Sequence, residues 1–578
     1  MKQALSLLVI LMITAQCGFT QTNYYVDGAG GSDGNTGTTL LTAWKTIQHA
    51  CNAATPNSIV QIKGGTYPEN IVVNVSGTAA SPITFRNYQH DSVFIDGTGT
   101  AGTTMLQITD KNYLTFQGLV IQNLTVNNAQ GILLESSVSG TSTGVAFKRM
   151  VVRYINWTSS AATIPTANDN AQAIIVYGRD NGLTNLSIDS CIVYANILGF
   201  SEAVSIDGNV KDFSVTNCLV HDNTNIGILA AGNYGTSTNP VTDHARNGII
   251  SQNLCYRNVS SYATSGGIYA DGGKNVLIEK NKCYENGYGI ELGCEQNGST
   301  DSITVKNNLF YNNQVCGIAI GGYTTSTTGQ VLNCIIRNNT FFQNDYSNSG
   351  SGEMDMTKAS QCTFENNIFY TNGQNILFTL ENIGPQTGNV FNYNCWYTPL
   401  NDSTNLTVNY PSATYTSFAS YRTGTAQDLH SHFGDPALTS IILPSPDLHV
   451  QSTSPCINSG DPATIISSGE TDYEGNPRIG AGRIDIGAFE YTLISGIAEK
   501  YPEDKGWLLY PDPATERISI KTSSLVLCID LLNAEGTEVR HCQHPPESLP
   551  VYDLPPGLYF IRISFQNGNV RVGKFVRN

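Results

Sequence analysis

The sequence predicts an all-β chain, a long parallel β-helix followed by a small β-sandwich, and three observations predict it. First, one pattern recurs seven times between residues 186 and 372: two alternating apolar residues, an Asn or Cys three positions on, then an aromatic and usually a closing Asn. The copies stack Cys191, Cys218, Asn253, Asn281, Asn308, Asn339 and Asn367 in one column, 27 to 35 residues apart, a period that belongs to solenoids. Second, the apolar rhythm is two rather than 3.6, and Val, Ile, Phe and Tyr dominate it, so the repeat is built of strands. Third, a further short strand beginning Gly-Ile follows several copies, at Gly227-Ile228, Gly267-Ile268, Gly289-Ile290 and Gly317-Ile318. One coil therefore holds at least two strands and returns to its start one strand spacing, ~4.8 Å, further on.

The columns assign themselves next. Asn at a corner tolerates left-handed backbone and can bond the Asn stacked on it, so the Asn column reads as structural. The aromatic column of Tyr194, His221, Tyr256, Tyr284, Tyr311, Phe342 and Tyr370 reads as packing rather than as a ligand platform. Of the 14 cysteines, Cys255 and Cys283 share one column and Cys334 and Cys362 another. Such stacked positions suit buried thiols, while adjacent-coil disulfides remain geometrically open.

At 578 residues the chain exceeds one ordinary core, which a solenoid escapes because each coil touches only its neighbours. Only 13% of residues are charged and 55 are Gly, a balance that suits a coil-rich β protein. The net charge of −16 argues against nucleic acid and anionic membranes as partners and is compatible with a bound cation such as calcium. Residues 1–21 read as a secretory signal peptide: Lys2 precedes an apolar run too short to span a bilayer, and no later stretch forms a transmembrane segment.

Residues 23–73, with Tyr25-Val26, the run GSDGN at 31–35, the segment WKTI at 44–47 and GGTY at 64–67, resemble the opening of secreted right-handed β-helix proteins, among them polysaccharide lyases and glycosidases. Residues 46–54 read as a short amphipathic helix that hides the edge of the first coil. Residues 447–491 resemble the segment that closes many such proteins, so Asp461, Asp472, Asp485 and Glu490 read as capping residues. The β-helix resemblance thus spans about residues 22–491 and implies a right-handed solenoid. After a linker at 492–506, residues 507–578 resemble the C-terminal sorting domain of the type IX secretion system. Its carriers are the motif YPDPA at 510–514, the run LPPGLY at 554–559 and Lys574-Phe575-Val576. This resemblance implies export to the cell surface or beyond, with that secretion machinery as a partner.

Chemistry is sought on the Gly-Ile strands. If Ile points inward, the residues one and three later point outward: Ser205/Asp207, Leu229/Ala231, Tyr269/Asp271, Glu291/Gly293 and Ala319/Gly321. Small residues around a few carboxylates and a tyrosine describe the floor of a sugar-binding groove, with Tyr269 as its stacking plate. Asp271 and Glu291 fall on neighbouring coils with a two-residue offset, which sets their Cα atoms ~8 Å apart. Their carboxyl groups can then lie about 5 to 9 Å apart, the range of glycosidase acid–base pairs. Glu202, Asp243, His244, Arg246, Lys274 and Glu295 surround this pair as substrate-binding candidates, and Asp207 is a candidate calcium ligand. Insertions at 232–247 and 321–330 leave the same edge and read as groove walls.

Three readings follow. The favoured one is a glycoside hydrolase acting on a polysaccharide through Asp271 and Glu291. The second is a calcium-dependent uronate lyase, with Asp207, Asp271 and Glu291 on the cation and Arg246 or Lys274 as base. The third is a non-catalytic glycan-binding protein or adhesin, in which outward carboxylates are solvated and Asp271 merely bonds the backbone of the turn DGGKN.

Overall fold

The computed structural model describes residues 21–322, 325–480, 482–491, 507–510, 514–522, 526–534, 537–543, 548–565 and 570–577, and the chain divides into two compact units, the first ending at Thr492. The predicted linker and all but the last residue of the predicted signal peptide lie outside the described residues.

The first unit is a parallel β-helix with three strands to a coil, as in Gly266–Asp271, Lys274–Glu279 and Lys282–Tyr284. The first face, which carries the candidate site, includes β1 (Ala129–Glu135), β2 (Ala171–Thr184), β3 (Val204–Lys211), β4 (Ile228–Ala231), β5 (Gly266–Asp271), β6 (Tyr288–Cys294), β7 (Cys316–Gly322) and β8 (Met354–Met356). Ile228, Ile268, Ile290, Ile318 and Met354 pair in register from coil to coil, and none is exposed. The period of two then turns the residues between them outward. Among the described residues the first two faces form one hydrogen-bonded array of 30 strands, and the third face is a separate stack of 13.

The corners divide two properties that the sequence reading gave to one column. Left-handed backbone falls on the residue before each stacked Asn: Lys280 (φ 57°), Asn307 (φ 57°), Asn338 (φ 53°) and Asn366 (φ 58°). The stacked residues themselves form a one-way amide ladder. Asn281 donates its backbone N–H and its Nδ2 to Asn308 Oδ1 (2.8 and 3.0 Å), and the same pair of bonds repeats from Asn308 to Asn339, Asn339 to Asn367 and Asn367 to Asn394. A second ladder runs through Asn196, Asn223, Asn258, Asn286, Asn313 and Asn344. Every step donates toward the C-terminal coil, so each ladder must end on acceptors. Asn394 Nδ2 ends on Asp428 Oδ1 at 3.2 Å, and Asn344 ends on both oxygens of Glu353, at 3.0 and 2.6 Å. Asp428 and Glu353 are wholly buried.

The thirteen described cysteines are all unpaired thiols, and Cys255 lies in register with Cys283, as small buried hydrophobes do. Rings of Tyr194, His221, Tyr256, Tyr284 and Tyr311 stack 4.8 to 5.1 Å apart. Their faces are spent on one another, which leaves none for a ligand.

Helix α1 (Ile47–Ala53) covers the N-terminal coil, with Thr46 as its N-cap and Ile47, Ala50 and Cys51 buried. The other end departs from expectation. Segment 447–491 does not close the last coil. A hairpin of Thr407–Tyr410 with Ala413–Tyr415 and helix α2 (Phe418–Thr425) do so, with Tyr421 packed on Phe378 at 5.7 Å. The later part of the 447–491 segment instead runs back along the third face, where Arg337 bonds Glu470 (2.8 Å) and Asn338 donates to the Asp485 carbonyl (2.9 Å). The cause is the outward row there, which includes Leu309, Tyr311, Phe342, Ile368 and Tyr370, an apolar strip that Ile486, Ala488 and Phe489 cover.

Arg478, within this cover, is buried, 3.3 Å from Glu490 and bonded to the Gly487 carbonyl at 2.9 Å. Arg478→Met should cost about 3–5 kcal/mol, since it strands a buried carboxylate. Denaturant unfolding checks this, and a loss below about 1 kcal/mol contradicts it.

The second unit is a small sandwich. A sheet of Trp507–Tyr510, Arg517–Thr522 and Ser548–Pro550 and an antiparallel four-stranded sheet enclose Ile518, Ile529, Leu531, Ile561, Ile563 and Phe575. Of the sorting motif at 510–514, residues 511–513 lie outside the described residues.

Candidate functional site

The outward side of β2–β8 carries two rows of side chains. In the first, Ser205, Leu229, Tyr269, Glu291, Ala319 and Asp355 pair from coil to coil. In the second, Tyr177 pairs with Asp207 and Asp207 with Ala231, and two coils further on Asp271 pairs with Gly293. Asp271 and Glu291 thus stand on adjacent coils, two residues out of step, on the outer surface of one sheet.

Burial changes what these residues can do. Asp271 is only 1% exposed, although it faces away from the core. The insertion at 232–247 folds over it: the Tyr234 hydroxyl donates to Asp271 Oδ2, and the Glu295 backbone N–H donates to Oδ1 at 3.0 Å. The same insertion covers Asp207, whose Oδ2 accepts from Thr236 Oγ1 at 2.9 Å while its buried Oδ1 has no partner. Glu202, Glu291 and Glu295 are half-buried.

Tyr269 is not a stacking plate. It is 3% exposed, packed with Leu229 and Ala231, its hydroxyl 3.5 Å from Glu295. Gly293 permits this, because a Cβ there would lie 2.6 Å from the Tyr269 oxygen. Tyr234, 44% exposed over the whole residue, is the aromatic of this site with a face towards solvent.

The sequence candidates separate accordingly. Glu295 comes to the Asp271–Glu291 pair, its backbone N–H on Asp271 Oδ1 at 3.0 Å and its charge felt by both carboxyls, while Glu202 feels the charge of Asp271. Asp243, His244 and Arg246 do not act as substrate contacts. Asp243 is buried and holds the insertion through the N–H groups of Gly235 (2.7 Å) and Ser237 (2.9 Å). His244 is buried and donates Nδ1–H to the Gly272 carbonyl at 2.9 Å. Arg246 is spent on the carbonyls of Thr242 and His244 and on Asn209 Oδ1, at 3.0, 3.1 and 2.8 Å. Lys274 lies past the Gly272-Gly273 turn, on the second face, in register with Arg246 and Asp301. Among the described residues the one group of three metal-ligating side chains within 4.8 Å of one another is Asp530, Glu538 and His541, in the second unit. Asp207, Asp271 and Glu291 therefore do not form a ready calcium site. Glu353 terminates the amide ladder, and Asp355 lies on the strip with Ser351 Oγ at 2.7 Å.

The strip holds its protons tightly. Burial, then the charge of Glu295, pushes Asp271 up to about 7 against the pull of Tyr234. Burial, then Asp207, Glu295 and Asp271, pushes Glu202 to about 8. Burial likewise raises Asp207 to about 6 and lifts Glu291 and Glu295 above the usual carboxylate range. Such an array can donate and accept protons near neutrality.

Sequence reasoning missed Tyr234 and Tyr177. Tyr177 was accessible through the alternation in AIIVY, which aligns it with Asp207. Tyr234 sits in an insertion without periodicity, and no sequence signal aims its hydroxyl. A hollow of about 670 Å³ lined by Asp222, Arg257, Glu285 and Tyr346 lies at a different corner, where Arg257 is already clamped on Asp222 at 2.6 and 2.8 Å.

Comparison with known proteins adds relatives. Residues 167–351 match the family model of the right handed beta helix region, and residues 508–578 match that of the secretion system C-terminal sorting domain. The uncharacterized protein YwoF of Bacillus subtilis is 34% identical over 427 residues, covering 72% of this chain and 88% of that protein. Pectate lyase PEL9 of Emericella nidulans is 35% identical over 108 residues, 16% of this chain and 26% of that protein. The solved structure of lacto-N-biosidase from Eubacterium ramulus is 14% identical, with 65% of this chain and 64% of that chain covered and a TM-score of 0.39.

Proposed function

Since the chain belongs to the right-handed β-helix family that includes YwoF, and its type IX sorting domain marks it as secreted or surface-attached, we propose that it cleaves a polysaccharide as a glycoside hydrolase. The observation that carries this reading is Asp271, a carboxyl raised to about 7 by burial and by Glu295, one coil from Glu291. Asp271 is the proton donor to the leaving oxygen. Glu291 attacks the sugar or activates water. Substrate reaches Asp271 by displacing the Tyr234 hydroxyl, the group that covers it. Glu295 keeps the proton on Asp271 by like-charge repulsion. The short similarity to a pectate lyase supports a glycan-cleaving ancestry.

A lyase reading asks for a free base beside the carboxylates. Arg246 is bonded into the insertion and Lys274 stands on the next face, so neither supports it. Products test the choice. Hydrolysis releases reducing ends with no ultraviolet-absorbing unsaturated product, and chelator leaves the rate unchanged. An unsaturated uronate product, lost on chelation, means a lyase. Retention of polysaccharide without any product means a binding protein.

A further inference from the structure

We propose that the sugar residues bound along this strip carry no negative charge: the substrate is a neutral glycan, not a polyuronate. The inference rests on the glycan-cleaving reading of the same strip, and the strip's own charges carry it. Glu202, Asp207, Asp271, Glu291 and Glu295 share one stretch of the first face, and each has its proton affinity raised by burial, four of them further by neighbouring carboxylates. Among the described residues, none of the five forms an ion pair with Lys, Arg or His.

Arg179 is a compensating charge felt at Asp207, and it is shared with Glu135 at 3.4 Å. The other cations of the neighbourhood are committed or on the next face: Arg246 lies in its carbonyl bonds and Lys274 beyond the turn. A uronate entering here would bury its carboxylate beside these carboxyl groups with no uncommitted cation to pair it, a cost that a neutral sugar does not meet. A neutral sugar brings hydroxyl donors without bringing a charge. Asp207 Oδ1 is buried without a hydrogen-bond partner, and a sugar hydroxyl can donate to it.

The test uses the full chain as Glu291→Gln, so that binding is read without turnover, in affinity gels at low salt and pH 7.5. The probes are β-glucan, xylan, mannan, highly methyl-esterified pectin, polygalacturonate and alginate. At least one neutral polymer should retard the protein about tenfold more strongly than polygalacturonate or alginate. Polygalacturonate or alginate retarding as strongly as the best neutral polymer overturns the inference. If the wild type also cleaves that uronate polymer to reducing ends, the hydrolase reading survives alone. Retardation by no polymer, with no cleavage by the wild type, overturns both.

Discussion

Glu291→Gln is expected to lower turnover by about 10²–10⁴-fold, the range of a lost acid–base group, while the β-helix stays intact. Asp271→Asn should do the same. The two variants should also stand apart from ordinary destabilising mutants when stability is followed against pH. Asp271 and Glu202 have folded-state proton affinities at about 7 and about 8, and Asp207 at about 6, all above the ~4 of a free carboxyl. A carboxyl raised on folding contributes stability that is fully present below its unfolded value and is lost as pH rises through its folded value. The wild type should therefore lose stability between about pH 5 and pH 9. Glu202→Gln, Asp271→Asn and Glu291→Gln should each flatten that decline. Activity has its own signature. Proton donation by Asp271 gives an alkaline limb near pH 7. Glu295→Gln removes a charge that helps hold the proton, so that limb should move to lower pH. Thermal unfolding and initial rates across pH measure both. Full activity in Glu291→Gln and Asp271→Asn would remove the assignment.

What the sequence disclosed, and what it did not, divides along one physical line. Alternation with period two and a fixed coil length determine which residue stands on which coil and on which side of the sheet. The pairing of Tyr269 with Glu291 and of Asp271 with Gly293 follows from counting alone. Cover does not follow from counting. Asp271 and Tyr269 lie on the outer surface yet are buried, because an aperiodic insertion folds over them and brings Tyr234 to the carboxylate. The same limit explains the 447–491 segment. Its resemblance to closing segments pointed to the last coil, but the apolar row at Leu309, Phe342 and Ile368 drew it along the flank. Arg246 looked like a free cation and is a strut, since the folded insertion turns the Thr242 and His244 carbonyls onto it and Asn209 on β3 accepts its remaining bond.

Replacing the acceptor at the end of an amide ladder should destabilise the solenoid more than any single Asn-to-Asp exchange on its surface. Asn344 donates twice to Glu353, and both groups are fully buried. Glu353→Leu keeps the apolar bulk and leaves two donors without a partner, each worth about 1–3 kcal/mol, so a loss of about 3–5 kcal/mol is expected. Glu353→Gln retains one carbonyl oxygen but presents an NH₂ to a donor, and should cost about 1–2 kcal/mol. The interior of the ladder obeys the opposite rule. Asn308 both accepts from Asn281 and donates to Asn339, so Asn308→Asp preserves the first contact and sets its acceptor against Asn339 Oδ1. A carboxyl group is thus suited to the end and excluded from the middle, although both positions are buried and both contact Asn. Denaturant unfolding of Glu353→Leu, Glu353→Gln and Asn308→Asp separates this directional account from simple space-filling. If the end were only packing, Leu would be tolerated and Gln would match the wild type. If the direction of donation governs, Leu at 353 and Asp at 308 are both severe, and hydrogen exchange should show the loss spreading toward the N-terminal coils, whose amides donate into the broken chain.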